Sequence, residues 1–220
     1  MPLKTFADIK SGRDLTDEEQ GKFYDTMKST VWVLKTRKGP NVGVACGLCI
    51  DNTGHILTTS CAVGESDVTV LGREIHSSSF QELKVVKRGK SMLILEPSEK
   101  KKGYDYAHIS QDSMQITECQ EVYCIVHEVS GLYSFAVGEV SHRKRMIDGI
   151  SHFQVANVHT IGHSDIVFSS TGHALGIVLR KVSHKVGEVP DVGHNLVLHF
   201  SEINKFVKFL QSRASKSKKR

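Results

Sequence analysis

The sequence has little of what marks several large classes of protein. Only 4 of its 220 residues are proline, which excludes Pro-rich low complexity and collagen-like repeats. No apolar run approaches the ~18 residues that a membrane-spanning helix needs. The first twenty residues contain no apolar segment of the signal-peptide type, so we expect no secretory signal. Hydrophobic residues make up 39% and charged residues 24%, a composition typical of a globular protein with a sizeable core.

Cysteine is sparse and odd in number, with five residues. In a chain without an export signal this favours reduced thiols and an intracellular protein, cytoplasmic or nuclear. Cys46 and Cys49 form a C-x-x-C pattern, but they lie within an apparent strand, where residues three apart point to opposite faces. We therefore expect buried, unreactive thiols at these positions, and neither a metal site nor a cofactor.

The net positive charge is concentrated at the end of the chain. Lysine and arginine number 29 against 24 acidic residues, a net charge of +5. The last eight residues, RASKSKKR, carry no acidic residue and hold five basic ones, so the body of the chain is near neutral. A solvated, disordered terminus is the simplest interpretation; a nuclear-import signal or a contact with nucleic acid or an acidic partner is the alternative. The basic residues are Arg213, Lys216, Lys218, Lys219 and Arg220.

Short β-rich runs dominate the rest of the chain and fall into two sets of six. Turn signals such as NTG and STG separate them. A polar segment, 97–118, connects the two sets, and the basic run 143–145 is predicted to be a solvated loop. The first set lies at 31–36, 42–50, 55–59, 68–71, 83–87 and 92–96, and the second at 122–126, 133–140, 152–158, 166–168, 174–179 and 195–200.

Helices are expected only at the two ends of this strand-rich region. Thr16 and Glu19 form a possible capping box for a short helix near the N-terminus. Near the C-terminus, Ser201 is a plausible N-cap, and apolar residues follow at i, i+3, i+4 and i+7 spacing from Ile203, which gives one apolar helical face. We expect an all-β fold of the chymotrypsin-like double-barrel type, with a short N-terminal and a C-terminal helix.

Four segments resemble the HtrA/Do-like family of trypsin-like serine proteases. GVACGLCIDNTGHILTTSCAV (43–63) is similar to the family's segment around the catalytic histidine, and VKRGKSMLILEP (86–97) to the one around the aspartate. SFAVGEVS (134–141) resembles a family strand, and VANVHTIGHSDIVFSSTGHALGIV (155–178) resembles the segment around the nucleophile. The resemblance implies a helical extension over 1–30, a double-barrel domain over 31–211 and a basic tail over 212–220. The halves are expected at about 31–96 and 119–200, with the linker 97–118, the helix 201–211 and no PDZ domain.

The resemblance places none of the catalytic triad in this chain. The family's histidine falls at Cys61 and its aspartate at Met92. In an ungapped alignment the nucleophilic serine falls at His163, and a register shift of one residue places Ser164 there instead. Asp165 stands where the family has a glycine of the oxyanion turn. Because a serine hydroxyl needs an adjacent base and the base needs an orienting carboxylate, the resemblance implies a pseudoprotease.

Three functions stay open at this point. The first is a catalytically inactive homologue that acts as a peptide- or protein-binding or regulatory module. The second is a residual or rewired hydrolase that uses Ser164, or Cys61 and His163 as an inverted Cys–His dyad. The third is a basic, nuclear or nucleic-acid-associated scaffold. Neither the partner nor the oligomeric state follows from the sequence.

Overall fold

The computed structural model describes residues 15–38, 41–64, 68–111, 115–127, 133–158, 164–182 and 194–217. Within them, twelve strands form two closed antiparallel barrels of six strands each. The first barrel holds β1 (Val31–Lys38), β2 (Asn41–Cys49), β3 (Ile56–Thr59), β4 (Thr69–Glu74), β5 (Gln81–Arg88) and β6 (Met92–Pro97). The second holds β7 (Glu121–His127), β8 (Tyr133–Ile147), β9 (Ile150–Ala156), β10 (Ile166–Phe168), β11 (Ala174–Val182) and β12 (His194–His199).

The two barrels have the same strand order. Around the first, the order is β1-β2-β3-β6-β5-β4, and around the second the equivalent strands follow as β7-β8-β9-β12-β11-β10. Closure pairs every strand on both sides and leaves no long sheet edge exposed. The all-β double barrel predicted from the sequence is confirmed.

Strands that lie between the barrels are buried on both faces. All four residues of β3 are buried. Ile56 packs in the interior of the first barrel, whereas Leu57 packs in the core between the barrels, together with Ile125 and Ile177 of the second. Alternate side chains of a strand point to opposite faces, so this one strand contributes to two cores and holds the barrels together.

The hairpin of β8 and β9 is longer than the sequence predicted. The basic run Arg143–Arg145, predicted as a loop, lies inside β8, which continues to Ile147. Ile147 pairs with Ile150 across a two-residue turn. At that turn Asp148 has φ 51° and Gly149 has φ 75°, the left-handed conformations of a type I′ hairpin turn, which Asp-Gly favours.

Among the described residues, three α-helices accompany the barrels: α1 (Asp17–Met27), α2 (Ser60–Val63) and α3 (Phe200–Ser217). The capping box predicted for α1 is present, since Thr16 and Glu19 each accept a hydrogen bond from the other's backbone N–H. Phe23 of α1 is buried against Tyr123 and other aromatic rings of the second barrel. No helix in the described part of the chain is long and apolar enough to cross a bilayer.

Helix α3 returns from the second barrel to the first. Its Phe206 approaches Gly89 so closely that a Cβ there would lie 2.7 Å from the phenyl ring. Lys87 Nζ donates to the Phe206 carbonyl at 2.9 Å. The helix ends at Ser217, not near 211 as predicted, because no glycine or proline stops it. The side chains of 209–217 and all of 218–220 lie outside the described part, so the predicted contacts of the basic tail stay predictions.

Candidate functional site

Cys61 lies on the four-residue helix α2, directly after β3. Its side chain is exposed. The thiol lies 3.2 Å from the Thr59 hydroxyl and donates to the carbonyl of Leu179, in the second barrel, at 3.8 Å. The residue assigned to the family's histidine position therefore lies at the cleft between the barrels.

Met92, assigned to the aspartate position, is the first residue of β6 and pairs with Thr59. Its side chain is buried. The backbone N–H of Ser60 donates to the carbonyl of Ser91 at 3.0 Å, so the structure brings the segments of Cys61 and Met92 together. A thioether carries no charge with which to orient or stabilise an imidazolium.

Ser164 is fully buried, with 0% of its surface exposed. Its hydroxyl accepts hydrogen bonds from the Thr59 backbone N–H at 3.2 Å and the Thr58 hydroxyl at 3.1 Å. The Thr59 hydroxyl lies 2.5 Å away. The backbone at Ser164 has φ 74°, which is strained for a residue with a Cβ. The serine bridges the two barrels, and its hydroxyl is enclosed by threonines, with no imidazole among these partners.

His163 lies outside the described residues. The inverted Cys61–His163 dyad therefore stays a prediction. The expectation of no metal site did not take into account that His159 and His163 have the His-x-x-x-His spacing found in some metal sites. His159 also lies outside the described residues.

Beside Ser164, Asp165 is buried in the interface between the barrels. Its Oδ1 accepts from the His127 backbone N–H at 3.1 Å and from the Cys46 thiol at 3.6 Å. Its Oδ2 is buried with no hydrogen-bond partner among the described residues. Burial raises the pKa of Asp165 to about 7, because desolvation disfavours the carboxylate.

Both cysteines of the C-x-x-C pattern are buried, as expected. They lie in different cores: Cys46 between the barrels and Cys49 inside the first. Cys49 donates to the Asp51 carbonyl at 3.3 Å, and all five cysteines of the chain are free thiols. Burial raises the pKa of Cys49 to about 12. Burial also raises the pKa of Cys46 well above its ordinary value, so both thiols are poor nucleophiles at neutral pH.

A pocket of about 380 Å³ opens beside Cys61. Aliphatic side chains form much of its wall, and cationic, anionic and imidazole groups lie among them. The first barrel contributes Cys61, Lys90 and Ser91, and the second contributes Ile147, Asp148, Ile150, His152, Leu179 and Leu196.

The hairpin of β8 and β9 forms one wall of this pocket, which the sequence analysis did not anticipate. His152 is buried, and its Nδ1 lies 2.9 Å from the Ile150 carbonyl, which fixes the ring in the wall. The Asp-Gly pair between Ile147 and Ile150 could have predicted this hairpin from the sequence, because Asp-Gly strongly favours a two-residue hairpin turn.

Strand β11 extends beyond its partner on one side. On the side of β10, the last paired residue is Ile177, with further backbone hydrogen bonds between Val178 and the 164–165 segment. On the side of β12, pairing continues to Val182. Residues 180–182 thus have a strand partner on one side only among the described strands, next to the pocket wall at Leu179.

Comparison with known proteins adds no assignment, because no family model and no curated protein matches this chain.

Proposed function

We propose that this protein is a catalytically inactive homologue of the HtrA/Do-like serine endopeptidases that binds an extended peptide segment in the cleft between its barrels. Four local sequence resemblances, spread over most of the chain, support the family relationship. The double barrel, with its repeated strand order, is the fold that this relationship implies.

Three side chains at the positions of the catalytic triad support the absence of catalysis. A serine nucleophile needs a base within hydrogen-bond reach and an accessible path to substrate. Ser164 is buried beneath Thr58 and Thr59. Cys61 and Met92, at the positions of the base and its orienting acid, supply neither an imidazole nor a carboxylate. Loss of the triad leaves only what substrate binding itself contributes.

Peptide binding is argued from the edge of β11 beside the pocket, and this observation carries the proposal. An exposed strand edge offers backbone N–H and C=O groups to an extended peptide, and a neighbouring pocket selects one of its side chains. On the side of β10, residues 180–182 have no strand partner among the described strands, and we take their backbone groups as this edge. The pocket next to Leu179 provides the selecting site.

The test is binding of fluorescein-labelled extended peptides, measured by fluorescence polarisation, to two matched tryptophan variants. Cys61→Trp places an indole at the mouth of the pocket and is expected to weaken peptide binding by about tenfold or more, the scale of a lost interface anchor. Val42→Trp is the control, since Val42 is exposed and does not line the pocket. Equal peptide affinity in both variants would contradict the proposed cleft.

A further inference from the structure

We infer that the pocket beside Cys61 takes an aliphatic side chain of a peptide whose neighbouring residues are acidic. The inference rests on the proposed function and adds the chemical class of the ligand. It follows from the positions of two cationic side chains, one on each barrel, next to the aliphatic residues that line the pocket.

The first cation, Lys90, comes from the turn between β5 and β6 and lines the pocket directly. Its side chain is exposed. At the end of β5, exposed Arg88 donates to the Gly64 carbonyl at 2.7 Å, at the end of the helix that carries Cys61. The rim that the first barrel contributes is therefore cationic.

The second cation, Arg145, comes from the hairpin of the second barrel. It pairs directly with His152, and Ile147 pairs with Ile150. Directly opposed residues of an antiparallel pair share one face, and so do residues two apart on a strand. Since His152, Ile147 and Ile150 line the pocket, exposed Arg145 lies on that same face of the hairpin, next to the lining residues.

These cations are not neutralised within the described part of the chain. Neither Lys90 nor Arg145 belongs to an ion pair there. Among the described residues of the lining, only Asp148 is acidic, and its left-handed conformation (φ 51°) forms the hairpin turn. An opposing set of carboxylates on the ligand would complement Lys90 and Arg145.

The aliphatic residues of the pocket lining indicate that the ligand's central side chain is aliphatic too. Ile147, Ile150, Leu179 and Leu196 contribute aliphatic surface, and Leu196 is buried. The volume of about 380 Å³ lies at the small end of the roughly 300–1,000 Å³ range of ligand pockets. It is large enough to take a branched aliphatic side chain of an extended peptide.

Three fluorescein-labelled peptides of equal length test the ligand class. Each carries one central isoleucine, flanked at alternate positions by glutamate, glutamine or lysine. The glutamate peptide is expected to bind about fivefold more tightly than the glutamine peptide, and its advantage to shrink between roughly 0.05 M and roughly 0.5 M NaCl because salt screens exposed charges. The lysine peptide is expected to bind most weakly.

Charge variants of the protein assign the effect to the pocket. Lys90→Glu and Arg145→Glu are each expected to weaken binding of the glutamate peptide by about threefold or more, and to weaken binding of the glutamine peptide by less than that. Lys102→Glu makes the same charge change at an exposed residue outside the lining and is the control. Asp148→Asn keeps a residue that tolerates the turn and is expected to strengthen glutamate-peptide binding.

The outcomes separate this inference from the proposed function. Equal affinity for the glutamate and glutamine peptides, or unchanged glutamate-peptide binding in both Lys90→Glu and Arg145→Glu, overturns the acidic preference while peptide binding itself stands. Tightest binding of the lysine peptide also overturns it. Binding of none of the three peptides overturns the proposed function as well.

Discussion

The hydroxyl of Ser164 lies 2.5 Å from the hydroxyl of Thr59, which joins the two barrels by a hydrogen bond. The same Thr59 hydroxyl lies 3.2 Å from the thiol of Cys61. Two positions that the family resemblance assigns to catalysis are therefore linked through a threonine, and both Thr59 and Ser164 are buried. This arrangement is suited to holding the barrels together.

Ser164→Ala is expected to destabilise the fold by about 1–3 kcal/mol, because it leaves the Thr59 backbone N–H without its buried acceptor. Ser164→Gly loses the same hydrogen bond but relieves the left-handed backbone, so its loss is expected to be smaller. Chemical denaturation measures both, with Ser98→Ala, an exposed serine, as the control. Unchanged stability in Ser164→Ala would contradict a structural role.

Stability is expected to fall as the pH rises from about 4 to about 7, through Asp165. Its pKa is raised to about 7 from an ordinary 3.8, so in this window the folded protein retains a proton that the unfolded chain releases. Each pH unit of that difference corresponds to about 1.4 kcal/mol, and the full effect to a few kcal/mol at most.

The matched variant is Asp165→Asn, which keeps an acceptor for the His127 N–H and the Cys46 thiol. Thermal unfolding from about pH 5 to about pH 8 is expected to show a smaller decline in this variant than in the native protein. Parallel pH profiles of the two proteins would show that Asp165 does not titrate as the buried geometry requires.

Iodoacetamide is expected to label Cys61 and Cys119 and to spare the other three cysteines of the folded protein. The first two are exposed and the others buried, and burial raises the pKa of Cys46, Cys49 and Cys124. Peptide mass spectrometry after a short exposure reads the pattern. Labelling of Cys61 that slows selectively in His163→Ala would instead support the inverted dyad, which we expect to fail.

The sequence predicted the parts of the fold that depend on local patterns. Alternating apolar residues predicted the twelve strands, and the Thr16–Glu19 spacing predicted the start of α1. The basic run 143–145 was wrongly predicted as a loop, because basic residues are also tolerated at exposed positions of a β-hairpin. The sequence prediction ended α3 too early, because no glycine or proline marks the end of this helix.

The candidate site was predictable only in part. Resemblance brought attention to Cys61 and Met92, and the structure places their segments side by side. The burial of Ser164 and Asp165 was not predictable, since it depends on Thr59 and Cys46, more than a hundred residues away in sequence. Adjacent polar residues near a glycine, as in the sequence GHSD at 162–165, are typical of an exposed loop when these long-range contacts are unknown.

The central claim is that this cleft binds peptides and does not cleave them. The most direct measurement is mass spectrometry of an extended-peptide library after incubation with the immobilised protein, reading both the retained and the unretained fractions. The account predicts that intact peptides with an aliphatic residue between acidic ones are enriched on the protein and that no new termini appear in either fraction. Accumulation of new termini that disappears in Ser164→Ala or Cys61→Ala would contradict it.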